Sequence, residues 1–138
     1  MTDYATEHFD WVTAQARCTA ATMFDRLLEG AREDVSRRNA VPDRDEGWRF
    51  ECHNEDGRFE VVRTTESGAP SSQGAFVAFE RVGPRIHVHG DGVDVDFTAI
   101  VGINASGECR YYVGEAEYLG WEVRKLALDL LFFEEEEG

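Results

Sequence analysis

The chain has 138 residues, enough for one domain that buries roughly two thirds of the surface its unfolded state exposes. Its 28 acidic and 14 basic residues leave a net charge of -14, a surface that repels phosphate backbones and anionic membranes, so neither nucleic acid nor membrane is an expected partner. Apolar residues at 42% and aromatics at 12% are spread along the chain, which argues for a folded domain and against a disordered acidic segment.

Residues 3–39 open the chain with apolar positions at Phe9, Val12, Ala16, Ala20, Met23, Leu27, Ala31 and Val35. Steps of three and four predict one long amphipathic helix, with Asp3 or Thr6 as N-cap and Gly30 as the point where it could divide. Arg37 and Arg38 favour its C-terminal dipole, and Pro42 forbids continuation.

After the linker of residues 41–47 the period changes from helical to alternating. Trp48, Phe50 and Cys52 alternate with Arg49, Glu51 and His53, and Phe59 and Val61 follow a turn within residues 54–57, which predicts a β-hairpin. Residues 67–74 are rich in Gly, Ser and Pro and read as a loop. From Ala75 the chain predicts a meander with turns at Gly83-Pro84, at Asp91-Gly92 and at Ala105-Ser106-Gly107. The last of these turns sets Ile103 opposite Cys109, Val101 opposite Tyr111 and Ala99 opposite Val113.

A second helix is predicted over residues 116–133, with Leu119, Val123, Leu126, Leu130 and Phe133 as the stripe that covers the sheet. An acidic tail, residues 134–138, closes the chain. The expected architecture is a single α+β domain over residues 1–138: a long N-terminal helix, a curved antiparallel sheet of about six strands, and a C-terminal helix packed on it.

Three cysteines, Cys18, Cys52 and Cys109, are odd in number and widely spaced, so reduced thiols are expected in place of a disulfide framework or a CxxC zinc site. Without a signal-peptide core or an 18-residue apolar run, the expected location is the cytoplasm.

Two candidate sites emerge. A two-residue Asp91-Gly92 turn places Val88 opposite Val95 and Ile86 opposite Phe97 on one face, and His89 opposite Asp94 and His87 opposite Asp96 on the other. Glu80 joins that polar face across from His87 if the Gly83-Pro84 turn is tight. A His-x-His pair on one strand face with nearby carboxylates suits a divalent metal such as zinc, held by His87 and His89. The competing reading is an ordinary solvent-facing hairpin with cross-strand His/Asp pairs and no cofactor.

The second site is the surplus apolar surface of the last helix. Trp121, Leu128, Leu131 and Phe132 lie off the predicted sheet-covering stripe and form a candidate protein interface, most simply that of a homodimer, with another protein as the alternative partner. The sequence contains neither GxSxG, HExxH, a P-loop nor GxGxxG. The layout of first helix, antiparallel sheet and apolar last helix resembles that of dimeric type III secretion chaperones. Those proteins carry a helix amid their strands, where this chain has the short Gly/Ser/Pro-rich segment 67–74. The likeness covers layout only and transfers no individual residue. The leading expectation is a non-enzymatic dimeric binding module that uses the sheet face or the last helix, and its rival is a small metal-binding protein or metal-dependent enzyme centred on His87, His89, Asp94 and Asp96.

Overall fold

The computed structural model describes residues 8–41, 48–65 and 75–133. The elements run α1 (Trp11–Arg17), α2 (Ala20–Ala40), β1 (Trp48–Glu55), β2 (Arg58–Thr65), β3 (Phe76–Val82), β4 (Arg85–Asp91), β5 (Asp96–Ile103), β6 (Cys109–Val113), β7 (Ala116–Tyr118) and α3 (Gly120–Phe133). All seven strands are antiparallel neighbours in chain order, a single meander, and the helices pack on one of its faces. The α+β architecture matches the sequence expectation, with one strand more: residues 116–118 pair with β6 as β7, and the last helix begins only at Gly120.

Alternation decides which side chains reach the core. Phe50, Phe59, Val61, Val77, Phe79, Ile86, Val88, Ala99 and Tyr111 point toward the helices and are buried. They meet Met23, Phe24, Leu27, Ala31 and Val35 of α2 and Val123, Ala127, Leu128, Leu131 and Phe132 of α3. Aromatic contacts knit the layers: Phe59 stacks on Phe79 at 4.4 Å, and Phe50 meets Phe132 edge-on at 4.8 Å.

The predicted first helix is divided, but at Cys18 and Thr19, not at Gly30. Thr19 is extended and its hydroxyl accepts a hydrogen bond from the Thr22 amide, a capping residue that starts a new helix. Asp10 caps α1 in the same way, through the Thr13 amide. The proposed caps Asp3 and Thr6 lie outside the described residues. Gly30 stays inside α2 because it serves packing: a Cβ there would collide with the Arg124 guanidinium, which pairs with Asp34 at 2.7 Å.

The expectation of three reduced thiols is corrected. Cys18, at the end of α1, and Cys109, at the start of β6, form a disulfide, while Cys52 is free and half-buried on the core side of β1. None of α1 is buried, so Phe9, Val12 and Ala16 do not extend the core stripe of α2. The covalent link and the close approach of Phe9 to Gly107 hold α1 to the sheet.

Buried polar groups tie the layers together. The Tyr111 hydroxyl donates to the Met23 carbonyl at 2.7 Å, joining β6 to the first turn of α2. At the other end of α2, the Asn39 side-chain amide both donates to the Phe50 carbonyl and accepts from the Phe50 N–H. Arg38 donates to the Phe132 carbonyl at 2.9 Å and Arg63 to the Leu131 carbonyl at 3.4 Å.

Burial pushes the Tyr111 phenol from its ordinary value of 10.0 up to about 12. The neutral form is therefore favoured in the folded state, so this contribution is complete below pH 10 and is lost as pH rises toward 12. Its size is about 3 kcal/mol by the equivalence of one pKa unit to 1.36 kcal/mol. Urea melts between pH 9 and 12 should show the wild type losing stability more steeply than Tyr111→Phe. Equal slopes would disprove the assignment.

The Cys18–Cys109 bond spans 91 residues, and a closed loop of that size raises stability by roughly 4.6 kcal/mol on the chain-entropy account. Addition of dithiothreitol should lower unfolding stability by that order. Amide exchange in α1 should lose protection before α2 or the sheet does, since α1 has no buried side chains.

Candidate functional site

The polar face of the β4–β5 hairpin is built as the sequence suggested, with one displacement. Gly83-Pro84 is a tight turn that pairs Val82 with Arg85 and sets Glu80 opposite His87. At the far end, the turn centres one residue later than Asp91-Gly92, which moves the register by two. Val88 faces Phe97 instead of Val95, Ile86 faces Ala99, and His89 faces Asp96. Gly90 and Val95 close the loop through a 2.7 Å backbone hydrogen bond. Gly90 makes this possible, because a Cβ there would lie 2.6 Å from the Val93 carbonyl oxygen.

A shift of two keeps the side chains that remain in the strands on their predicted faces but changes their partners. His87 Nε2 lies 2.9 Å from an Asp96 carboxylate oxygen, a diagonal contact, and the His87 and His89 rings stack 4.9 Å apart. Asp94 departs from the group and lines a groove beside α3. Glu80 is engaged by Arg58, which also pairs with Glu60. Of the five predicted polar residues, the structure thus joins His87, His89 and Asp96 and turns Asp94 and Glu80 to other neighbours. Among the described residues no group of three or more His, Cys, Asp or Glu side chains is placed to hold a metal ion.

The Cys52–His53 juxtaposition gives no thiol–base pair. Cys52 faces the core, where burial pushes its thiol up, and His53 is exposed against Glu51 at 3.0 Å.

The last helix departs further from expectation. Leu128, Leu131 and Phe132, three of the four predicted interface residues, are buried in the core, and Trp121 alone of that set is exposed, at 56%. Conversely Leu119, Leu126 and Phe133 of the predicted sheet-covering stripe are exposed. The cause is the placement of α3 against two neighbours. Val123, Ala127 and Leu131 share one side of the helix, Leu128 and Phe132 lie on the side next to α2, and what remains faces outward.

Two grooves flank this outward side, and both include Trp121, Lys125 and Asp129 in their walls. The first, about 330 Å³, runs between α2 and α3 and ends at Val41, Phe132 and Phe133. The second, about 450 Å³, separates α3 from Asp94 and Tyr118. Residues of the first groove contributed by α2, among them Arg38, are absent from the sequence-based site. A signal was present: Arg38 continues the Leu27, Ala31, Val35 spacing of the buried stripe, so its side chain had to be inside.

No helix among the described residues is long and apolar enough to cross a membrane. Comparison of the chain with family models, curated proteins and solved structures gives no match.

The His87–Asp96 pair is exposed, with side chains 41% and 78% accessible, so it adds little to stability. Asp96→Ala should cost no more than about 1 kcal/mol in urea unfolding, the upper end for exposed pairs. A loss well beyond that would mean that the polar face is held by more than this one contact.

Proposed function

We propose that the protein is a non-enzymatic interaction module that works as a homodimer, with the outward side of α3 as its working surface. The observation that carries this reading is the composition of α3 set against its burial. A helix that is apolar on nearly all sides belongs in an interior. Here two sides are covered by the sheet and α2, and the remainder leaves Trp121, Leu126 and Phe133 in water, with Leu119 exposed just before the helix. Exposed apolar side chains, a tryptophan among them, set around the Lys125–Asp129 pair are the composition of a protein interface, and a two-fold contact is the commonest way to cover one.

The outer face of the sheet carries ion pairs such as Arg58–Glu60 and Arg110–Glu108, with Val82 and Ile100 exposed among them, and a mixed face of that kind is stable in solvent without a partner. The sequence by itself leads to the expectation of a cytoplasmic location. The Cys18–Cys109 disulfide weighs toward an oxidising compartment instead.

Light scattering on the purified chain at micromolar concentration should give twice the monomer mass. Trp121→Glu should give the monomer mass with an unchanged circular dichroism spectrum, because Trp121 is outside the core. A monomeric wild type removes the dimer.

A further inference from the structure

Resting on the homodimer reading above, we propose that the two copies pair through antiparallel α3 helices about a two-fold axis at the level of Ala127. Trp121 of each copy then enters the groove between α2 and α3 of the other. Three observations point to this arrangement and to a second copy as the occupant.

The first is self-complementary charge. Lys125 and Asp129 project from successive turns of the outward side, paired within the helix at 2.9 Å, with side chains 65% and 47% accessible. They are spaced equally on either side of Ala127. A two-fold that reverses the helix direction at that level carries Lys125 to the level of the second copy's Asp129, so the two intrahelical pairs become a four-charge network. A face that matches itself in this way needs no other partner to satisfy it.

The second is the aromatic match at the same register. Trp121 and Phe133 are also equally spaced about Ala127, so the indole of one copy reaches the level of Phe133 in the other. That level is the end of the groove walled by Val41, Phe132 and Phe133. An exposed indole and a preformed apolar groove at matching positions give the buried aromatic anchor on which binding energy concentrates.

The third is the sign of the local field. The chain as a whole carries -14, which opposes association of two copies through most of the surface. In the groove between α2 and α3 the balance is reversed: Arg37, Arg38, Arg124 and Lys125 stand against Asp34 and Asp129. Repulsion between copies is therefore reduced where Trp121 and Phe133 line that groove.

Charge reversal tests the register, with sedimentation equilibrium as the readout and thermal melts to confirm folding. Lys125→Glu sets two carboxylates against each other across the axis and Asp129→Lys sets two ammonium groups together, so each alone should weaken the dimer by about tenfold or more. An equimolar mixture of the two variants should form a heterodimer within about threefold of wild-type affinity, since opposite charges then meet across the interface. Neither chain in that mixture holds an intact Lys125–Asp129 pair of its own, so only contact between the copies can restore affinity. Single reversals that leave a wild-type dimer unaffected, or a mixture no tighter than the singles, would overturn this geometry while the dimer itself stands. A wild type that stays monomeric would overturn both.

Discussion

The C-terminal end of α3 is held by two buried arginines from other elements. Arg38 of α2 donates to the Phe132 carbonyl, and Arg63 of β2 donates to the Leu131 carbonyl. The last turn of α3 contains no basic residue of its own, so the negative end of its dipole is met entirely from outside the helix. Aromatic rings cover the two guanidinium groups: Arg63 lies 4.0 Å from the Trp48 ring and Arg38 5.0 Å from that of Phe50. A buried cation is tolerated only with such partners. This corner fixes α3 in both rotation and height. That placement decides which of its apolar residues enter the core and which face outward, and it shapes the groove beside α2.

Much of the fold was legible because strand alternation and turn chemistry agree. Asp56-Gly57, Gly83-Pro84 and Gly107 take the turn positions that their backbone preferences suit, with each glycine at positive φ. The pairing of Ile103 with Cys109 and of Val101 with Tyr111 was readable from the loop length alone. The Asp91-Gly92 hairpin was misread by one residue at the turn. Gly90 lets the chain fold back on Val93, an interaction between loop residues that no pairwise pattern of apolar and polar positions encodes. Because the displacement preserves faces, the His/Asp chemistry was placed on the right surface with the wrong partners.

The helices were less legible, and for a different reason. Their apolar positions are too numerous to specify one face: in α3, a stripe through Leu119 and Leu126 and a set through Leu128 and Leu131 are equally apolar, and only contact with α2 and the sheet chooses between them. In the first helical segment the periodicity runs unbroken through Cys18, yet the chain divides there, because Thr19 can cap a new helix and Cys18 is bonded to β6. Both decisions belong to tertiary structure, which outweighs local spacing.

Asn39 bears on what the edge of the sheet offers to other molecules. By pairing with both backbone groups of Phe50, its amide occupies one rung of the ladder along the outer edge of β1, as a neighbouring strand would. At the opposite edge, β7 offers only three residues as a template. Each border thus offers a strand from another molecule less than a full ladder, one of the ways in which open sheets avoid extending edge to edge.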